Sequence, residues 1–373
     1  MNRGEVVLTT SAPPKYGLIQ IEPTSRCNLR CRTCLRASNP EQWRERDLPF
    51  SLFQQLSTEF KQADTIHLQG WGEPLVLDPF SRYLETVKKS GCRVSFTTNG
   101  QIMDRDLAVS LIRSGVDAIT FSMAGATAEV QDSLRGPGSF ARLQSSISTL
   151  TTAKKELDSK SPVLAVSYLL TPTTVEELPG AVGWCGKHGI SLLAGVHLTH
   201  AANEEQQNLQ LFPTNDRRIK NLVRKAHVRA LFAGIRLELP SFQPTMAPVC
   251  AKDPVHNLSI AADGSVAPCV FLNAPVSPSV QWLENNQVIG NTLFIFGNIK
   301  TERLMDIWNK PAYREFRYCF LKRQRLYQQA LARVGYDMNG IEQLERAKRK
   351  IKRDFIDNPV PSPCRQCPKL CGY

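Results

Sequence analysis

The first 200 residues repeat one alternation six times, and that repetition restricts the fold more than any other feature. Short β-prone runs lie at 17–23 (GLIQIEP), 65–70, 93–100, 117–125, 163–170 and 190–198. Each ends in, or is followed at once by, Gly or a polar residue. Between and after them, amphipathic segments lie at 51–62, 79–90, 104–114, 127–134, 139–157 and 175–188. A strand that returns to its sheet through a helix pairs parallel to its predecessor. Six such units predict an α/β protein, either a barrel or an open parallel sheet. KKSGCRV and IRSGVDA each place Gly where a helix should stop before the next strand.

Residues 203–240 read as polar helix, and the Pro-rich LELPSFQPTMAPVC then bends the chain at a domain boundary. The expected division is an N-terminal extension (1–16), an α/β domain (17–240) and a C-terminal domain (241–373). In the last, two β-prone runs flank Ala-Asp-Gly-Ser within 256–271, a hairpin signal, and a basic helix-prone insert covers 301–357. A chain of 373 residues, 42% apolar, suits one large domain with a smaller one behind it. No run of eighteen apolar residues can span a bilayer, and MNRGEVVLTTSAPPKYG lacks the apolar stretch of a signal peptide. A cytoplasmic protein with no membrane partner is therefore expected.

Net charge is +12, and residues 300–355 carry fifteen Lys/Arg against seven Asp/Glu. Such an excess favours an acidic peptide, a nucleic acid or a phosphorylated small molecule; its bland counterpart is a solvated, charge-laced helix face. KRKIKRD (348–354) has no interleaved aromatics and no RNA-binding motif around it, which argues against nucleic acid.

Eight of the eleven cysteines cluster. Cys27, Cys31 and Cys34 follow the first β-prone run with spacing C-x3-C-x2-C. Cys250 and Cys269 bracket the hairpin, and Cys364, Cys367 and Cys371 close the chain as C-x2-C-x3-C. In a reducing compartment such spacings point to metal or catalysis rather than disulfides. Closed zinc and ordinary four-iron sites take four protein ligands, but the first group supplies three. His67, on the second run, is the open candidate for a fourth. Two thiols from the hairpin and two from the C-terminal turn make four, which suits zinc or an iron–sulfur cluster. Cys92, Cys185 and Cys319 stand alone and read as small core hydrophobes.

On these residues the chain resembles the radical S-adenosylmethionine (radical SAM) superfamily. The resemblance implies a partial (β/α)6 TIM-like barrel with the site at the C-terminal strand ends. Cys27, Cys31 and Cys34 would hold a 4Fe–4S cluster whose fourth iron chelates SAM. Reductive cleavage then yields a 5′-deoxyadenosyl radical that abstracts hydrogen from substrate. QGWGEP (69–74) is similar to the family's Gly-Gly-Glu-Pro turn, which implies SAM-binding roles for Gly70, Gly72, Glu73 and Pro74. Asn99 in TTNG, Ser122 in FSMAG and Arg135 in SLRGPGSF are implied to position the ribose and carboxylate. Thr33 stands where the family usually has an aromatic bordering adenine, and Trp71 where it has the first Gly of the pair.

The C-terminal pattern, with FGNIKTERLMDIWN (296–309), resembles the SPASM domain or its shorter twitch form. That implies a hairpin-plus-helix Fe–S domain with one auxiliary 4Fe–4S cluster on Cys250, Cys269, Cys364 and Cys367. Cys371 is then a spare ligand or a thiol near substrate, and the single catalytic candidate. The activity implied is that of a maturase acting on a peptide, its acidic leader or partner received by the basic insert. Alternatives are a radical SAM enzyme of small-molecule or cofactor biosynthesis and a non-catalytic Fe–S electron carrier or sensor. A low-potential donor such as flavodoxin or ferredoxin is the implied redox partner. His197 and His200 would stand at the barrel mouth, read as hydrogen-bonded surface residues before any proton role. Trp71, Phe271 and Trp308 read as packing residues.

Overall fold

The β-prone runs form strands because every second residue can leave water. In β4 (Ala118–Met123), Ile119, Phe121 and Met123 are buried while Ala118, Thr120 and Ser122 are half-buried. The same alternation recurs in the C-terminal halves of β1 (Tyr16–Ile21), β2 (Ala63–Leu68) and β5 (Val163–Leu170), and β3 (Arg93–Thr98) and β6 (Leu192–His197) complete the six expected strands. Connecting helices at Phe50–Leu56, Ser81–Lys89, Arg105–Arg113, Ala128–Arg135, Ser139–Glu156 and Thr174–Lys187 fall on the amphipathic segments. Asp104 and Thr127 cap two of these helices, accepting from the Leu107 and Val130 amides. The computed structural model describes residues 16–276, 280–284, 287–291, 293–332, 334 and 340–373. Residues 1–15 of the expected extension lie outside them. Tyr16 does not belong to that extension; it is fully buried at the start of β1.

All neighbours from β1 to β6 pair in parallel, giving the partial barrel. A seventh parallel strand, β7 (Arg236–Glu238), extends it beside β6. Only three residues long and partly exposed, β7 has too short an apolar alternation to register in the sequence.

The hairpin at 256–271 forms as expected, from β8 (Leu258–Ile260) and β9 (Ser265–Ala267). It does not stand apart from the barrel. β8 pairs in parallel with β1 on the side away from β2, so one ten-stranded sheet runs across the expected boundary at residue 240. A second hairpin, β10 (Val280–Glu284) and β11 (Gln287–Asn291), stands separately, and β12 (Gly297–Asn298) closes the sheet edge beside β9. The expected helical insert is three helices, Leu304–Asn309, Pro311–Leu331 and Gly340–Asp357. The buried Glu59 of the barrel accepts from the Leu304 and Met305 amides at 3.0 and 2.9 Å, so a barrel carboxylate caps the first of them. Among the described residues no helix is long and apolar enough to cross a membrane.

Candidate functional site

The parallel register brings the first chemistry-bearing segments to one end of the sheet. The three-cysteine loop follows β1, the Gly-Trp-Gly-Glu-Pro turn follows β2, Thr-Asn-Gly ends β3, and His197 ends β6 and leads to His200. C-terminal strand ends are where parallel α/β folds build their sites.

Two glycines let the turn dock on the cysteine loop. A Cβ on Gly72 would stand 2.3 Å from the Thr24 carbonyl oxygen and 2.5 Å from that of Arg26. One on Gly70 would stand 2.3 Å from the Glu22 carboxylate. Gly72 therefore makes room for the chain's own loop, and the Glu73 amide donates to the Arg26 carbonyl at 2.8 Å.

Glu73 is buried and occupied. Its Oε1 accepts from Thr98 Oγ1 (2.8 Å) and the Leu75 amide (3.1 Å), and its Oε2 accepts from the Asn99 amide (2.6 Å). Burial pushes its carboxyl up to about 7, against the pull of those hydrogen bonds and of Arg135. Asn99 reaches onward, its Nδ2 donating to Asn28 Oδ1 at 2.7 Å and standing 3.7 Å from Cys27 Sγ. Pro74 is buried as the first residue of a 3-10 turn. Thr33 is half-buried on the cysteine loop.

Arg135 ends its helix near Glu73, and its Nε is buried without a hydrogen-bond partner. Native structures seldom leave such a donor unpaired, so an anionic group from outside the chain fits there. Ser122 lies half-buried on β4 opposite Ser167 of β5.

The thiols Cys27, Cys31 and Cys34 share one field. Burial, then repulsion from Cys31 and Cys27, pushes Cys34 up to about 11, and Cys27 is raised by burial and its neighbours. Thiols held so close ionise together only when a cation arrives, which is the behaviour of a metal-binding set. Among the described residues no three His, Cys, Asp or Glu side chains converge on a single ion position. His67 is not a fourth ligand. Its Nδ1 and Nε2 each stand 2.8 Å from partners inside the sheet's curve, Ser95 Oγ and Gln69 Oε1, and burial lowers it to about 4.

The second cysteine set lines a cavity of about 600 Å³ with Lys252, His200, Phe271, Trp282 and Lys369. Cys250, Cys269, Cys364 and Cys367 repel one another there. Burial and then its neighbours push Cys269 to about 11 and Cys367 to about 12, and Cys364 is raised further still. Cys371 lines the same cavity, its carbonyl accepting from the Thr245 amide at 2.9 Å. Lys369 is lowered to about 8 by burial and Lys252, with Cys367 and Cys250 opposing. Four thiols and two lysines around one space fit an anionic cluster.

Several expectations change here. His197 and His200 are packed, not surface histidines. His197 is 4% exposed, bonds the Ser241 carbonyl through Nε2 at 3.1 Å, and has a buried, unpartnered Nδ1. Phe271 lines the cavity as well as packing, whereas Trp308 is buried core. Trp71 bonds the Val270 carbonyl through Nε1 (3.2 Å) and meets Phe271 edge-on at 5.9 Å, so it joins the turn to the cavity wall. In the last helix the cations Arg346, Lys348 and Lys350 pair with Glu342, Glu345 and Asp354. The helix Arg217–Ala233 holds six Lys/Arg and no Asp/Glu, an excess the insert had overshadowed.

Sequence reasoning missed Glu22 altogether. This buried carboxylate accepts from the Trp71 amide (2.7 Å) and the Ala262 amide (3.1 Å), tying β1, the turn and the hairpin together. Its only sequence signal was its place at the end of the first β-prone run.

Comparison with known proteins agrees with this geometry. A family model described as the radical SAM superfamily matches residues 21–184, and one described as an iron–sulfur cluster-binding domain, SPASM, matches 250–332. The chain is 26% identical, over 83% of its length and 85% of the relative's, to a tungsten-containing aldehyde ferredoxin oxidoreductase cofactor-modifying protein of Pyrococcus furiosus. It is 30% identical to the mycofactocin maturase MftC of Mycobacterium ulcerans, over 46% of this chain and 44% of that one. Among solved structures, Streptococcus suis SuiB bound to precursor peptide SuiA superposes with a TM-score of 0.58 at 15% identity, covering 81% of this chain and 67% of that one.

Proposed function

The chain belongs to the radical SAM superfamily and carries a SPASM iron–sulfur domain, and on that premise we propose that it is a maturase acting on a peptide. Cys27, Cys31 and Cys34 would hold the SAM-binding 4Fe–4S cluster, and Cys250, Cys269, Cys364 and Cys367 one auxiliary cluster. Together with SAM, these groups supply one-electron reductive cleavage and hydrogen-atom abstraction when bound.

The chain's own residues prepare the site. Arg135 pairs with the SAM carboxylate, and Glu73, held by Thr98, Leu75 and Asn99, keeps an oxygen lone pair for the ammonium. Ser122 bonds the ribose from the inner face of β4. Gly70 and Pro74 shape the turn, and Thr33 leaves the adenine edge without an aromatic lid. The Trp71–Phe271 contact walls the space between the two cysteine sets.

One observation carries the reading: a buried, unpartnered arginine nitrogen stands beside the Glu73 turn, which itself docks on the cysteine loop. The maturase relative and the peptide-bound structure support a peptide as substrate. A second reading, modification of a cofactor, is favoured by the match that spans most of the chain. The acid-free helix Arg217–Ala233 supports an acidic partner, such as a flavodoxin or ferredoxin donor.

The test is anaerobic reconstitution followed by SAM and dithionite. Release of 5′-deoxyadenosine is expected, with deuterium entering it from a labelled substrate. A fully loaded protein that releases none is an electron carrier instead. Deuterium arriving from a small molecule and never from a peptide selects the second reading.

A further inference from the structure

His200 is a ring in the cavity aimed at a cysteine. Its Nε2 stands 3.7 Å from Cys367 Sγ. The ring stacks on Phe271 with centroids 4.2 Å apart and planes 15° apart, and meets Trp282 edge-on at 5.0 Å. Clamped on two sides, it cannot swing away without losing both contacts.

Its tautomer follows from its other nitrogen. Nδ1 lies 2.9 Å from the Thr199 hydroxyl oxygen. In a neutral imidazole one nitrogen carries a hydrogen and the other accepts. A metal-bound thiolate has no proton to offer. A hydrogen bond to it therefore requires the hydrogen on Nε2, and the Thr199 hydroxyl then donates to Nδ1.

We propose that His200 donates from Nε2 to the ligating Cys367 sulfur, and so holds the auxiliary cluster at a higher reduction potential than its thiolates alone would set. The proposal rests on the reading that Cys367 ligates that cluster. Hydrogen bonds to ligand sulfurs stabilise the reduced, more negative state, and they are among the levers that spread cluster potentials. The asymmetry is local. Backbone amides serve Cys250 and Cys269, through Lys252 with Asp253 and through Phe271 with Leu272, while Cys367 has the His200 side chain beside its sulfur. His200 is thus a positioning and tuning residue rather than a catalytic one.

Cys27→Ala/Cys31→Ala/Cys34→Ala protein, with His200 intact, isolates the auxiliary cluster for EPR-monitored redox titration. Adding His200→Phe, which keeps the stacked ring but removes the donor, should lower the midpoint potential with iron content unchanged. Adding Thr199→Val should lower it in the same direction by less. Pulsed EPR on protein with isotopically labelled imidazole nitrogens should show a weak coupling to the reduced cluster, absent in His200→Phe. An unchanged midpoint in His200→Phe with intact iron overturns the proposal. So does a strong coupling, which would make His200 a direct ligand. If His200→Phe does not assemble, Thr199→Val and the nitrogen coupling decide alone. If the triple variant binds no cluster, the auxiliary-cluster reading is what fails, and this proposal falls with it.

Discussion

Glu73 Oε2 accepts a hydrogen bond from the Asn99 backbone amide at 2.6 Å, and the Asn99 side chain stands 3.7 Å from Cys27 Sγ. One carboxylate thus joins the end of β2 to the end of β3, and the second of these reaches Cys27. The Gly-Trp-Gly-Glu-Pro turn and the three-cysteine loop are one packed unit, and the expected outcomes below rest on that coupling and on the proposed function.

Glu73→Gln should weaken SAM binding while leaving iron content intact. A hydrogen bond to a charged group contributes about 1.5–3 kcal/mol, or roughly 10–100-fold in affinity. Equilibrium dialysis of SAM against reconstituted protein measures it. Unchanged affinity would reduce Glu73 to a staple between strand ends.

Arg135→Met tests the unpartnered nitrogen. Because Arg135 Nε makes no hydrogen bond within the described residues, its loss should leave the thermal midpoint nearly unchanged. SAM affinity should fall by about 10–100-fold, the loss of a charge-assisted pair. A large drop in thermal midpoint without loss of affinity would assign Arg135 to folding instead.

Gly72→Ala should remove the first cluster and spare the second. Its new Cβ would collide with the carbonyls of Thr24 and Arg26, which are backbone atoms that lead directly into Cys27. Iron and sulfide analysis should show about half the wild-type content, on the premise of two four-iron clusters. Full iron content with normal 5′-deoxyadenosine yield would contradict the docking argument.

Cys364→Ala and Cys371→Ala should differ. Cys364 interacts with Cys269, Cys367 and Cys250, so its loss should abolish the auxiliary EPR signal. Cys371→Ala should retain that signal. The reverse pattern would exchange the two residues as ligands.

Glu22 bears on pH dependence. Burial raises its carboxyl from 4.5 to about 7. The folded state then holds a proton that the unfolded chain has released. Its contribution to stability is complete below pH 4.5, declines between 4.5 and 7, and is gone above that. Glu22→Gln should flatten this decline by up to roughly 3 kcal/mol, apart from a constant cost for misorienting one amide partner. Urea midpoints of cluster-free protein across that window check it, and parallel curves for variant and wild type would refute it.

Much of the fold was legible because strand–helix alternation is a local, periodic signal. β5 occupies the expected residues 163–170, and the other five expected strands lie within two residues of theirs at either end. β7 was not, since three residues, two of them exposed, are too few to show a period. The cysteine spacings were legible for a related reason: neighbours in a tight loop stay neighbours however the rest folds. Glu22, Glu59 and the His200–Cys367 contact were invisible, because their partners lie 49 to 246 residues away.

By itself, then, the order of residues determined the parallel α/β architecture, the two cysteine sets and the glycine turn, all properties of short segments. Tertiary structure alone decided that the C-terminal hairpin joins the barrel sheet through β1, that Gly72 serves the chain's own loop, and that His197 and His200 are enclosed. Those outcomes depend on which distant surfaces exclude water together, and burial, unlike periodicity, is settled only when the whole chain has packed.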